Sequence, residues 1–255
     1  ENYALDMYVH NYWHCGVFRV DYEAEKDTEP RLFLGAAEDG SDDAHFCMPC
    51  DVACDGQGRV YVADHGNHRV QVFTPEGKLV KSIPVEGPTQ LSIDPRNGNL
   101  YVFTFPMYGN KKIPPVKLKR PNVLRKFKSA DDPQLLATWD VPVSPTRGNY
   151  VQYGEVDFYA DPVTIWVSPG QVQYGPRPEH LRPAGTFLLV EKDGKLEKVG
   201  DWEADTIKAV AQPLAPDDNR QLLAFDPKRE KLFISEGRYN FQDSVVVDVA
   251  TGKCR

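Results

Sequence analysis

The 255-residue chain is poor in methionine (3), tryptophan (4) and cysteine (5), and an odd cysteine count rules out a fully paired disulfide framework. It lacks any apolar run near 18 residues, so no membrane-spanning helix is expected. No cationic start leads into a short apolar stretch, so no signal peptide is visible. The opening residues Glu1 to Asp6 lack Met and read as a processed or trimmed end. GxGxxG, GxSxG, HExxH and phosphate-cradling loop patterns are all missing, which removes the sequence support for dinucleotide, serine-hydrolase, zincin and nucleotide chemistry. There is no excess of positive charge either. Thirty Lys and Arg face 37 Asp and Glu, for a net charge of −7, so a nucleic-acid partner is not expected.

What is present is a chain able to build a core, with 41% hydrophobic and 26% charged residues. A single domain over 1–255 is the expectation. The charge is unevenly spread. Between Lys111 and Lys128 lie Lys111, Lys112, Lys117, Lys119, Arg120, Arg125, Lys126 and Lys128, with no acidic residue among them. A cationic patch on an acidic body is a candidate anion site.

One pattern recurs: an apolar strand, Asp, a short turn, then an apolar strand carrying an aromatic. It runs from Val52 to Val62, Leu91 to Val102, Phe158 to Val167 and Leu223 to Ile234. Asp-Gly or Asp-Pro chemistry in the turn makes each a hairpin. A third strand follows at Arg69–Phe73, Val123–Phe127, Thr186–Val190 and Val245–Val249. A fourth follows near Leu79–Ile83, Leu135–Trp139 and Leu196–Trp202. Four short antiparallel strands per unit of roughly 40 residues make a propeller blade. The fold class is therefore all-β, a β-propeller with about five blades, at about 1–36, 46–85, 86–140, 150–203 and 205–255. The first blade opens on its second strand at Met7–Val9 and the last stops after its third. Unpaired edges are a liability, so the expectation is a propeller of six or more blades, incomplete at both ends or completed by another chain.

Residues Pro49 to Ala53 and Tyr61 to Phe73, with the triplet Asn67-His68-Arg69, resemble the NHL repeat, a family named for its Asn-His-Leu signature. The resemblance implies a propeller of NHL-like blades. It also implies a function among protein- and RNA-binding modules, or among lactonases, lyases and amidating lyases with a metal at the axis, zinc or calcium. In such repeats Asp64 and Asn67 are expected to bond the backbone of their own turn, and Arg69 to serve the turn or the neighbouring blade.

Up-and-down strands sort loops by face. The loop between strands two and three and the connection into the next blade share one face. By this rule His10, His14, His45, His65, His68 and His180 lie together with Cys15, Cys47 and Cys50. His45-Phe46-Cys47-Met48-Pro49-Cys50 could hold zinc, form a disulfide, or be an ordinary thiol pair. Cys54 alternates into the inner strand and reads as buried. His10, His14, His65 and His68 are the candidate catalytic residues, able to move a proton or hold a metal. Tyr12 and Trp13 between the first two add an aromatic recognition surface. Lys117, Lys119 and Arg120 in one long loop, with Tyr174, Arg177 and Arg182 in another, can wall a groove for an anion.

Two functions follow. The first is a module that binds a protein or an anionic ligand on the long-loop face. The second is a metal-assisted lyase or hydrolase at the propeller mouth, acting on an acidic glycan or a carboxylate. The aromatic, Cys-containing loops point to an exported protein, periplasmic or extracellular.

Overall fold

The computed structural model describes residues 15–20, 30–105, 116–120, 122–141, 153–168, 187–193, 195–201, 220–225, 230–236 and 244–248. Every regular element among them is a β-strand, and the sheets are antiparallel propeller blades. The chain divides into two units, residues 1–136 and 137–255.

In the first unit, β1 (Cys15–Arg19) pairs with β2 (Arg31–Ala36). A four-stranded sheet follows in the order β3 (Pro49–Cys54), β4 (Val60–Asp64), β5 (Arg69–Phe73) and β6 (Leu79–Pro84). The next sheet holds β7 (Gln90–Ile93), β8 (Leu100–Thr104), β9 (Val123–Phe127) and β10 (Leu135–Asp140), the last continuing past the unit boundary.

The middle sheet explains its own sequence. Side chains alternate across a strand, so one face of β4 carries Tyr61 and Ala63, and the same face of β5 carries Val70 and Val72. These pack with Ile83, Val85, Leu91, Leu100 and Val102 towards the following sheet. The opposite face presents Val62 and Phe73 to Cys15, Leu34 and Phe46 of the preceding segment. Phe46 and Phe73 meet edge to face with centroids 6.0 Å apart. A sheet covered on both faces needs near-continuous apolar strands, and each fully buried Val, Leu or Phe contributes ~1.5–3 kcal/mol.

The recurring Asp closes the first hairpin turn of a blade. Asp55 Oδ1 accepts from the Gln57 N–H at 2.9 Å, and its carbonyl from Gly58, whose φ of 77° suits glycine. Asp94 repeats this with Arg96 and Gly98.

In the second unit, one sheet runs β11 (Tyr153–Asp157), β12 (Thr164–Ser168), β13 (Phe187–Lys192) and β14 (Lys195–Asp201). A three-stranded sheet holds β15 (Arg220–Phe225), β16 (Lys231–Glu236) and β17 (Ser244–Asp248). Here the sequence reading needs a correction. Phe158, Tyr159 and Ala160 are turn rather than strand, and the first strand lies earlier, at β11. The cause is Asp157, not Asp161: its Oδ1 accepts from the N–H groups of Tyr159 and Ala160 at 2.9 and 2.8 Å.

Candidate functional site

The turn between β4 and β5 (His65 to His68) lies against two connections. On one side is the segment leading into β3. Gly66 N–H donates to the Cys47 carbonyl at 2.7 Å, and a side chain at residue 66 would run into Cys47. On the other is the segment from β6 to β7, where Val85 N–H donates to the His68 carbonyl at 2.9 Å. The β4–β5 turn thus lies beside both the connection into its own blade and the connection to the next sheet.

Asp64, Asn67 and Arg69 spend their polar groups on the first connection. Asp64 is fully buried. Its Oδ1 accepts from the Cys47 N–H at 2.7 Å, and its Oδ2 from Asn67 and Arg69. Asn67 Nδ2 also donates to the Gly40 carbonyl at 2.7 Å. Arg69 donates to the carbonyls of Ser41, Asp42 and His45. Asp64 and Asn67 were expected to bond their own turn. They brace the preceding connection instead, because that segment lies within side-chain reach and brings its own unpaired backbone groups. Burial raises the Asp64 carboxyl above its ordinary range, against the hydrogen bonds that favour its charge.

The two histidines of this turn part company. His68 is exposed, in a left-handed conformation (φ 54°), and its Nδ1 accepts from the Gly87 N–H at 3.1 Å. His65 is fully buried, and among the described residues neither ring nitrogen makes a geometrically well-formed hydrogen bond. Its ring lies so close to Gly87 that a Cβ there would meet Cε1 at 3.3 Å, and would clash with Leu118. Burial lowers the His65 pKa, the Pro88 and Gly87 backbone beside the ring opposes this, and the charge of His68 adds to the lowering.

Leu118 belongs to the basic segment. The exposed residues Lys117, Lys119 and Arg120 flank it, so this segment and the β4–β5 turn meet at Gly87. Glu86 joins them. Its Oε1 accepts from the Lys119 N–H, and its Oε2 from the Arg120 N–H at 3.3 Å. The Arg125 guanidinium stands 3.5 Å from Oε2 and donates to Thr104 Oγ1 at 2.8 Å; that hydroxyl donates to the Glu86 carbonyl. Sequence reasoning missed Glu86. A single acid before Gly-Pro in a connection carries no pattern, and the one available signal was its place in the connection on that same face.

His45, Cys47 and Cys50 do not fit a zinc or calcium ion. His45 Nδ1 is 2.7 Å from Asp42 Oδ1, and the Cys50 thiol donates to the Met48 carbonyl. Desolvation, reinforced by Asp51, Asp64 and Cys47, pushes the Cys50 thiol up to about 12. Calcium takes oxygen ligands. Among the described residues no three His, Cys, Asp or Glu side chains gather as a metal site. Cys15, Cys47, Cys50 and Cys54 are free thiols, and Cys54 is exposed at the end of β3 rather than buried. His10, Tyr12, Trp13, His14, Lys111, Lys112, Tyr174, Arg177, His180 and Arg182 lie outside the described residues. Among the described residues no helix is long and apolar enough to cross a membrane, which says nothing about β-barrels.

The NHL repeat family profile matches residues 46–73. A stretch of 100 residues is 40% identical to peptidyl-glycine alpha-amidating monooxygenase B of Xenopus laevis, covering 36% of this chain and 11% of that protein. The chain spans between 4% and 12% of the length of the curated relatives it matches. Among solved structures, a nidogen/laminin complex superposes with a TM-score of 0.52 at 12% identity, over 94% of this chain and 73% of that one. A gluconolactonase of Xanthomonas campestris gives 0.52 at 16% identity, over 88% and 63%.

Proposed function

We propose that this β-propeller, whose second blade is an NHL repeat, is a binding module that docks an acidic segment of a protein partner. The observation that carries this is the basic segment at residues 117–120. Lys117, Lys119 and Arg120 stand exposed where the β4–β5 turn and the β6–β7 connection converge. Among the described residues neither lysine has an acidic partner, so their charge is available to a ligand. Cations clustered on an otherwise acidic body steer an anionic partner to one place and speed its arrival. NHL propellers mediate protein interactions in general, which fits a docking role.

A pentaglutamate peptide is the simplest probe. Binding should weaken with salt, because the attraction is screened within ~8 Å at physiological ionic strength. The triple variant Lys117→Glu, Lys119→Glu, Arg120→Glu should abolish it. Equal binding by wild type and triple variant would make the patch incidental and sink this reading.

A second reading is favoured by His65, a fully buried ring that among the described residues makes no geometrically well-formed hydrogen bond, a costly state for a polar side chain and one common at functional sites. With the likeness to an amidating monooxygenase, it makes the chain a lyase or hydrolase that moves a proton through His65 and His68, with His10 and His14 as further candidates. No step is assigned to a metal, since the described donors do not fit one. Unchanged turnover of carboxylate substrates after His65→Ala and His68→Ala would remove this reading.

A further inference from the structure

The Glu86 carboxylate sits where an anion would be held. Two consecutive backbone N–H groups, those of Lys119 and Arg120, point at its two oxygens, and the Arg125 guanidinium adds a third positive partner. Successive N–H groups aimed at one concavity form an anion-binding nest, and carboxylates are held by just such donors. The arrangement is built rather than incidental. The Glu86 carbonyl is tied by Thr104, Arg125 is tied to the same threonine, and Leu118 packs on Gly87 one residue further on. Glu86 and Arg125 are only 23% and 12% exposed, so their attraction is screened less than that of a surface pair.

We propose that the Lys119 and Arg120 N–H groups with Arg125 form a carboxylate-binding site, and that Glu86 is its resident internal ligand. An acidic side chain of the docking partner takes the place of Glu86 when it binds. This rests on the docking reading above and adds a competitor to it. While Glu86 occupies the nest, the basic segment is held against Gly87. A partner carboxylate must first displace it, so the apparent affinity is reduced by the fraction of molecules whose nest is open. The ligand class follows from the occupant: a carboxylate on a short flexible stem, as on a glutamate side chain.

The test compares Glu86→Asp with wild type. Aspartate keeps the charge, so any change reflects reach and not electrostatics, and its stem is one methylene too short to span both N–H groups from the same backbone position. Two measurements are made on the full chain: amide hydrogen exchange at Lys119 and Arg120, and affinity for pentaglutamate. The expected result is faster exchange at both amides, with β5 amides unchanged to show an intact blade. Pentaglutamate should bind more tightly, on the order of tenfold if the nest is about nine-tenths occupied in wild type. Faster exchange with unchanged or weaker binding would make Glu86 a brace for the loop and overturn the proposal. Unchanged exchange would also overturn it, since no latch would then have been opened. If pentaglutamate binds and the triple charge reversal abolishes it while Glu86→Asp alters nothing, only the competitor is lost. If neither wild type nor Glu86→Asp binds the peptide, the docking reading falls and the proposal with it.

Discussion

Arg69 Nε and Asp64 Oδ2 meet at 2.7 Å, with the carboxylate wholly buried and the arginine 12% exposed. The remaining guanidinium donors reach three backbone carbonyls of the segment before β3. One side chain therefore neutralises a buried charge and closes a loop. Removing one member of a buried pair leaves an uncompensated charge, so Arg69→Ala should cost ~3–5 kcal/mol of stability. Arg69→Lys, which keeps the charge but loses the planar fork, should cost less. Urea unfolding monitored by tryptophan fluorescence checks both, and a loss below ~1 kcal/mol for Arg69→Ala would contradict a load carried by this pair.

Gly87 carries a second prediction. Its φ of 48° is left-handed, and an added Cβ would strike Leu118 and crowd His65. Gly87→Ala should lower stability by ~1–2 kcal/mol from backbone strain alone, and more if Leu118 cannot move aside. Thermal unfolding reads the total. Hydrogen exchange at residues 116–120 then tells whether the basic segment has been lifted.

The buried His65 gives a pH dependence of definite sign. Its folded pKa lies below the ordinary 6.5. Between the folded pKa and 6.5 the unfolded chain holds more protons at this ring, so stability rises with pH across that window. The contribution is fully present above 6.5 and is lost as pH falls to the folded pKa. Asp51 and Asp64, both raised by burial, push the opposite way at lower pH. The difference between wild type and His65→Leu isolates the ring. Below pH 6.5 the variant should lose less stability than wild type, and parallel curves would refute the assignment.

The thiols should separate by reactivity. Cys54 is exposed, whereas burial raises the Cys15 thiol, and Cys50 is pushed to about 12. Since the thiolate is the nucleophile, iodoacetamide at pH 8 should alkylate Cys54 well before Cys15 or Cys50 in the native protein. Peptide mapping by mass spectrometry follows each site, and early loss of the Cys50 thiol would show that its surroundings open readily.

Much of the fold was legible because two physical periods write themselves into the chain. Side chains alternate along β4 and β5, and both faces are covered, so these strands read as apolar runs ended by turn residues. The Asn67-His68-Arg69 triplet marked the blade, yet the backbone carbonyls that Asn67 and Arg69 reach lie 24 to 28 residues earlier in sequence, a reach that no local pattern records. Tyr159 shows the opposite failure. A short apolar run before Asp161-Pro162 imitates a strand, and only the capping bonds from Asp157 reveal a turn. The candidate site was half legible. Lys119, Arg120, His65 and His68 were named from loop placement, but Glu86, which ties the basic segment down, is a solitary residue whose importance lies entirely in three dimensions.

The brace formed by Asn67 and Arg69 also sets where this molecule can be cut. The sequence repeat starts near residue 46, but its hydrogen-bond acceptors sit at Gly40, Ser41, Asp42 and His45. The cooperative block is thus out of phase with the repeat: this blade is finished by the residues that lead into it. A graft or truncation starting at residue 46 would take the guanidinium and the amide without their acceptors, whereas one starting near residue 37 would carry the whole block.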